Sequence, residues 1–323
     1  MRTKLYLACE ADSHSVEYSR RDFDRLMVFA DKSDQFEVVK DVKEAKLVLF
    51  VGSSEVNFND VRRSAVYKNY KDKSVIFYSG DRMIPILPGL YPCLEKNMLV
   101  KNSRSRQSSY YLRVTDNQTL DTKEPINDAK YLYSFLGNCR NHPVRAEILQ
   151  LRHPRALLAD TSTAGRRQTD ANNEYYLTVI KQSKFVLCPR GIGVSSWRLF
   201  ETMRAGRVPV IISDDWVEPP GPDWKQCSVR IAESQLRKIN MILEEYESEA
   251  EELASNARRD WLKYYSEDNV FDTIANQALD SLNESKKNNR FNVRLYLYYF
   301  SPYFFRFWIL SPLKQCLMGL RKN

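Results

Sequence analysis

Long apolar runs are missing from this sequence. No uncharged apolar stretch of about eighteen residues or more occurs in it, so a simple membrane-spanning helix is not expected. The first apolar segment is too short for the hydrophobic region of a signal peptide and ends at an acidic residue, Glu10. We therefore expect a cytoplasmic protein that reaches a membrane, if at all, at its inner face.

Residues typical of metal sites and disulfide frameworks are also scarce. The three histidines, His14, His142 and His153, do not have the spacing of metal ligands, and the six cysteines form no CxxC pair. In a chain of 323 residues such scattered cysteines are typical of reduced thiols. The sequence predicts no metal and no other cofactor.

Most of the chain carries no net positive charge. The net charge is +8, and residues 285–323 contain eight Lys and Arg and no acid, so residues 1–284 are formally neutral. Nucleic acid is therefore not an expected partner. Residues 291–310 (FNVRLYLYYFSPYFFRFWIL) are dense in aromatics, which fits either a segment lying on a membrane surface or a helix packed on the N-terminal domain. Ser301-Pro302 and Ser311-Pro312 predict short helix starts.

What the chain does contain is an alternation of strands and helices. Short strands are predicted at 4–8, 36–39, 46–52 and 74–78, helices at 18–30 and 58–70, and a loop at 86–94. A polar stretch at 101–124 separates this series from a second one that begins at Lys130. We expect an α/β protein with two Rossmann-like domains facing across a cleft, divided as 1–120, 121–284 and a basic aromatic tail at 285–323.

The densest group of polar side chains lies in residues 184–216 (KFVLCPRGIGVSSWRLFETMRAGRVPVIISDDW). A strand, a turn with two glycines and a helix capped by Ser195 or Ser196 direct a helix N-terminus at the strand ends, where an anion is favoured. The glycines are expected to permit positive φ. Arg190 and Arg198 can reach that anion, and Glu201 lies one helical turn further on, suited to ribose hydroxyls. The alternative is a plain βαβ crossover with a surface ion pair, since neither a Walker motif nor GxGxxG is present.

This stretch resembles the signature of the exostosin-family glycosyltransferases: a CPRG turn, then SWRLFE, AG, PVIISD and a tryptophan. SFLGNCRNHPVR, VIFYSGD and DWLKYYS are similar to other family segments, so the resemblance covers about residues 74–270 and is densest at 184–224. It implies a GT-B fold and inverting sugar transfer from a nucleotide sugar. By position it assigns donor binding to Arg190, Arg198 and Glu201, and more weakly to Arg140 and Ser196. The turn glycines Gly191 and Gly193 are added to this donor site because they permit close approach of the backbone to a ligand.

The chain also departs from the animal exostosins. We expect no N-terminal membrane anchor, no second transferase domain and only a short N-terminal half, which favours a bacterial-type enzyme with one catalytic unit. We expect an inverting transfer from a nucleotide-diphosphate sugar, preferably a UDP-sugar, to a glycan or lipid-linked acceptor in surface polysaccharide synthesis. The alternative is a catalytically silent, sugar-binding partner subunit of a glycosyltransferase complex.

A base must take the proton of the acceptor hydroxyl, and carboxylates that follow N-terminal strands are the candidates. Asp81, after VIFYSG, is preferred, and Asp12, which with Glu10 follows the first strand, comes next. Asp214 and Asp215 are adjacent rather than separated by one residue, so they are expected to cap a loop or helix and not to clamp a metal.

Overall fold

Two parallel β-sheets flanked by helices make up the computed structural model, which describes residues 2–9, 17–52, 58–81, 84–99, 104–110, 120–121, 125–162, 170–287 and 294–297. In the first sheet the order is β2-β1-β3-β4-β5-β6, and every pairing is parallel. Its strands are β1 (Thr3–Ala8), β2 (Phe36–Val38), β3 (Leu47–Gly52), β4 (Ser74–Tyr78), β5 (Gly89–Tyr91) and β6 (Ser105–Gln107).

The second sheet is also parallel throughout, with the order β11-β10-β9-β7-β8. Its strands are β7 (Tyr131–Gly137), β8 (Ala156–Asp160), β9 (Ser183–Pro189), β10 (Val208–Ile212) and β11 (Val229–Arg230). The chain leaves β7 to one side for β8 and returns to its other side for β9, so the strand order reverses beside β7. In open α/β sheets ligands bind at such a reversal, outside the carboxyl ends of the strands.

Helices lie between many of the strands, and the last four follow the final strand. They are α1 (Glu17–Ala30), α2 (Phe58–Arg63), α3 (Ala65–Tyr70), α4 (Pro143–Ile148), α5 (Asp170–Lys181), α6 (Trp197–Arg204), α7 (Trp224–Cys227), α8 (Ile239–Glu245), α9 (Ala250–Tyr264), α10 (Val270–Lys287) and α11 (Arg294–Leu297). Short 3-10 turns lie at Lys71–Lys73, Lys96–Met98, Ile126–Asp128, Cys139–Asn141, Glu233–Lys238 and Tyr246–Glu249.

Burial explains why the central strands are so apolar. Every residue of β3, β4 and β10 is buried, because helices cover both faces of each sheet. A large apolar cluster contains residues of both sheets, among them Leu49 and Phe77 of the first and Val186 and Ile211 of the second. The expected fold class, two Rossmann-like α/β units facing each other as in GT-B proteins, is confirmed.

Two predictions about the first half of the chain are wrong. The helix predicted at 58–70 is broken at Ser64, whose Oγ accepts a hydrogen bond from the Tyr67 N–H (3.0 Å) and so caps a new helix. The predicted loop at 86–94 contains β5, and β6 lies inside the polar stretch 101–124. Gly89 permits β5 to form, because it has φ +159° and a Cβ there would lie 2.2 Å from the Ile76 carbonyl oxygen.

The end of the described chain returns to the first sheet. Helix α10 packs on β4, β5 and β6, and Leu295 of α11 is 7% exposed within the apolar cluster that contains Ile76 and Tyr78. The helix starts predicted at 301 and 311 lie outside the described residues. Within the residues that are described, no helix is long and apolar enough to cross a membrane. The domain boundaries at 120 and 284 remain predictions.

Candidate active site

A cavity of about 710 Å³ opens between the two sheets. The first unit contributes Asp81, just beyond β4, and Tyr110, while the second contributes the carboxyl ends of β7 and β8, helix α5, the turn after β9 and the start of α6. Because β7 and β9 flank the reversal of strand order, the cavity lies where the topology predicts a ligand site.

The turn after β9 is held by a buried arginine, Arg145 of α4. Its Nε donates to the Arg190 carbonyl (2.8 Å), and its other nitrogens donate to the carbonyls of Pro189 (3.3 Å) and Asn138 (3.4 Å). Arg145 is 8% exposed; burial, reinforced by the nearby Arg198 charge, lowers its pKa to about 10. Nothing in the local sequence pattern predicts this role, because the burial of Arg145 between Val144 and Ile148 becomes evident only in the fold.

The two glycines of the turn are required by close contacts and not by backbone conformation. Among the described glycines, positive φ occurs at Gly89, Gly206 and Gly221, so the expectation of positive φ at Gly191 and Gly193 is wrong. A Cβ on Gly191 would lie 2.8 Å from an Arg145 guanidinium nitrogen. A Cβ on Gly193 would lie 2.2 Å from the Cys93 sulfur and 3.7 Å from the Asp81 Cβ, which shows how closely the turn approaches the first unit.

Arg198 is buried beside the cavity and forms no ion pair with any described residue. It is 8% exposed, donates to the Leu136 carbonyl, and its guanidinium lies 4.8 Å from the Phe135 ring centre and 5.6 Å from that of Tyr176. Its Nε has no hydrogen-bond partner within the described residues. A surface Arg198–Glu201 ion pair, which the alternative of a plain crossover assumed, is therefore wrong, while the donor-binding role of the two residues remains a prediction. A buried donor without a partner at a cavity wall is suited to an anionic ligand oxygen.

Glu201 lies one helical turn beyond Trp197 and Arg198 and also lines the cavity. The Tyr176 hydroxyl donates to its Oε2 (2.6 Å). Burial raises the pKa of Glu201, while the Tyr176 hydrogen bond and the Arg198 charge act in the opposite direction. The carboxylate is thus oriented by Tyr176 and retains a second oxygen for a ligand hydroxyl.

On the opposite wall, Asp81 is part of a hydrogen-bonded cluster. The Tyr110 hydroxyl donates to Asp81 Oδ1, and the Cys93 sulfur lies 2.9 Å from the Tyr110 oxygen and 3.8 Å from the same Oδ1. Burial, followed by the Asp81 charge, raises the pKa of both Tyr110 and Cys93, so both groups stay protonated. Asp12 and Glu10 lie outside the described residues.

These elements carry the match to known proteins. Residues 96–246 match the Exostosin GT47 domain. This segment, slightly less than half of the chain, is similar to the exostosin family. Curated relatives include Exostosin-1 of Drosophila melanogaster (30% identical over 147 residues; 40% of this chain, 19% of the relative). Exostosin-2 of Bos taurus is 31% identical over 139 residues (38% and 19%). A probable glucuronosyltransferase of Oryza sativa subsp. japonica is 36% identical over 142 residues (39% and 31%).

The matched segments thus span between a fifth and a third of those relatives. Among solved structures, the chain is similar to the lipopolysaccharide glycosyltransferase WaaG (TM-score 0.36, 12% identity, 85% of this chain and 98% of that one). It is also similar to Anabaena Alr3699/HepE in complex with UDP (TM-score 0.34, 11% identity, 87% and 99%).

Within the exostosin domain, the other predicted donor residues have different surroundings. Ser196 is the N-cap of α6, makes no capping hydrogen bond with its side chain and lines the cavity. Arg190 instead pairs with Asp215 (3.6 Å), and Arg140 is exposed in the 3-10 turn that follows β7. Neither of these arginines lines the cavity. Their assignment to donor binding remains a prediction.

The adjacent acids of the exostosin domain are occupied by local contacts. Asp214 exchanges two hydrogen bonds with Glu233: its Oδ1 accepts from the Glu233 N–H (3.0 Å), and its own N–H donates to Glu233 Oε1 (3.2 Å). These contacts confirm the expected capping role of Asp214. No group of three or more His, Cys, Asp or Glu suited to a metal ion occurs among the described residues.

Proposed function

We propose that this chain is an inverting glycosyltransferase that moves a sugar from a nucleotide-diphosphate sugar to a glycan or lipid-linked acceptor. The observation that carries the proposal is one cavity with Arg198 and Glu201 of the exostosin domain on one wall and Asp81 on the other. The names of the relatives, which include a probable glucuronosyltransferase, support sugar transfer. A UDP-sugar is the preferred donor.

On the donor wall, the proposed ligand is the diphosphate and ribose of the donor. The buried Arg198 has an unpaired Nε, and the N-terminus of α6 adds the positive end of a helix dipole. Negative charge grows on the diphosphate as its bond to the sugar breaks, so these groups stabilise the transition state more than the ground state. The free oxygen of Glu201 would accept a hydrogen bond from a ribose hydroxyl.

On the acceptor wall, Asp81 is the proposed general base. The acceptor oxygen attacks the anomeric carbon, the carbon–oxygen bond to the diphosphate breaks, and the hydroxyl proton passes to the Asp81 carboxylate. Because Tyr110 and Cys93 both contact Oδ1, they fix the orientation of the carboxyl group and leave Oδ2 to act as the proton acceptor. Attack on the face opposite the diphosphate inverts the anomeric configuration.

The test measures nucleotide release from a panel of UDP-sugars together with UDP binding by calorimetry. Asp81→Asn should lower kcat by about 10²- to 10⁴-fold, the usual contribution of a general base, and leave UDP affinity nearly unchanged. Asp214→Asn, which alters a carboxyl group outside the cavity, is the matched control and should keep its turnover. Equal turnover in the Asp81 variant would exclude this base. UDP binding without any turnover by the natural chain would favour the silent partner subunit instead.

We also propose a role in surface polysaccharide synthesis, with peripheral membrane contact through residues 285–323. The eight basic residues of that segment support it, since each adds about 1 kcal/mol near an anionic surface. Leu295 packs on the first unit, so a truncation after Leu297 preserves that contact. The truncated chain, which keeps four of the eight basic residues, should bind anionic liposomes more weakly while keeping its melting temperature. Retention of full liposome binding would argue against the proposal.

A further inference from the structure

One tryptophan is exposed inside the cavity. Trp197 is 43% exposed, whereas Trp216, Trp224 and Trp261 are 1%, 5% and 1% exposed. The three buried rings belong to apolar clusters, and Trp197 belongs to none of them. A large aromatic side chain that lines a cavity of mixed polarity while remaining open to solvent contributes little to the core, so its contribution is expected to be to a ligand.

The position of Trp197 connects the two walls. It is the first residue of α6, directly before Arg198, and its ring meets the Tyr110 ring edge-on with the centres 5.7 Å apart. Tyr110 in turn donates to Asp81. The indole is therefore separated from the candidate base by a single ring, and the contact with Tyr110 restricts its orientation before a ligand arrives.

The residues around Trp197 indicate which class of ligand its ring would contact. Its neighbours along the cavity wall are polar, including Ser195, Ser196 and Asp81, which suit a ligand rich in hydroxyls. An acyl chain would require a continuous apolar wall, which these residues do not provide. A pyranose ring combines hydroxyls around its edge with a flat face of C–H groups, and that face stacks on an aromatic ring.

We propose that Trp197 is the platform on which a sugar ring of the acceptor stacks, next to Asp81. This assignment rests on the proposed function and deepens it, because it makes the acceptor a glycan at its reacting end. The acceptor rather than the donor is expected here, since Trp197 contacts Tyr110 of the wall that holds the base, whereas Glu201 and Tyr176 occupy the wall assigned to the donor.

The experiment uses the full chain with the UDP-sugar that it turns over, and methyl β-glycosides of glucose, galactose, N-acetylglucosamine and glucuronic acid as acceptor probes. UDP release is followed as a function of probe concentration in the natural chain, Trp197→Ala and Trp197→Phe. We expect a KM for the best probe raised about tenfold by alanine and less by phenylalanine, which retains a ring, with UDP affinity changed less than about twofold. Tyr246→Ala removes an aromatic ring that is 37% exposed outside the cavity and serves as the matched control.

The outcomes separate the two proposals. A natural chain that turns over no UDP-sugar contradicts the proposed function, and binding of the same glycosides in the presence of UDP, measured by calorimetry, then decides about Trp197. Glycoside affinity that is equal in the natural chain and Trp197→Ala overturns the platform, as does a natural chain that responds to none of the glycosides. A variant that melts at a lower temperature is replaced by Trp197→Phe, which must still show the smaller rise in KM.

Discussion

Adding one methyl group at Gly193 should disturb both stability and transfer. In Gly193→Ala the new Cβ would lie 2.2 Å from the Cys93 sulfur, whereas carbon contacts favour about 3.5–4.0 Å, so the two groups must separate by more than about 1 Å. Rotation of the thiol does not solve the conflict, because the Cys93 Cβ itself would be 3.0 Å away. Overpacking of this kind costs about 1–3 kcal/mol of the free energy of unfolding.

The loss of activity should exceed the loss of stability. The turn must move away from the first unit, which widens the distance between the donor wall and Asp81, and a displacement of about 1 Å can reduce a rate by about 100-fold. Urea unfolding followed by circular dichroism measures the first effect, and UDP release from the donor sugar measures the second.

A double-mutant cycle tests the cause. Cys93→Ala removes the sulfur, so in the Gly193→Ala background it should recover about 1 kcal/mol of stability and part of the activity, a coupling in the usual range for residues in contact. Gly191→Ala is the control, because its Cβ would meet Arg145 and not Cys93. Strict additivity at positions 93 and 193, or rescue of Gly191→Ala by Cys93→Ala, would refute the reasoning.

Two further predictions concern the buried Arg145 and the ion pairs of Glu247. Arg145→Lys should lower the free energy of unfolding by about 2 kcal/mol and weaken UDP binding, because one ammonium group cannot reach the three carbonyls that the guanidinium contacts. Urea unfolding measures the first effect and calorimetry the second. If UDP binding is weakened in Arg140→Lys but not in Arg145→Lys, the arginine indicated by the family resemblance is favoured instead. Glu247 accepts from Arg155 (2.6 and 2.7 Å) and Lys184 (2.8 Å), and these contacts, Arg155 foremost, lower its pKa from 4.5 to about 2. The depressed pKa stabilises the fold above about pH 4.5, and this contribution disappears as the pH falls toward 2. Glu247→Gln should therefore cost about 1 kcal/mol at pH 7, since Arg155 is half-exposed, and progressively less in acid; a pH-independent difference would contradict this.

Secondary structure could be predicted from the sequence where the residues of an element themselves determine it. Strand β3 is apolar throughout and β4 nearly so, with Ser74 at its start, so their burial follows from composition. The end of α6 follows from Gly206, whose φ of +58° is the left-handed conformation at which helices commonly stop. Strand β5 could not be predicted, because its three residues are fixed by pairing with neighbouring strands and not by a period of their own.

The residues of the candidate site also fall into those that the sequence predicts and those that it does not. The family resemblance pointed to Arg198 and Glu201 because they lie within one short motif on one helix. Tyr110, Cys93 and Arg145 act through partners distant in the sequence, and the contact of Tyr110 with Asp81 depends on a fold that joins separate loops. No local pattern of hydrophobicity or charge carries that information.

The return of α10 to the first sheet has a mechanical consequence. The chain crosses between the two units twice, once after Tyr110 and once between α9 and α10. Two connections restrict rotation of one unit over the other more than a single linker would. The first 120 residues also lack α10, so a fragment cut near residue 120 would expose the apolar face of the first sheet that α10 covers.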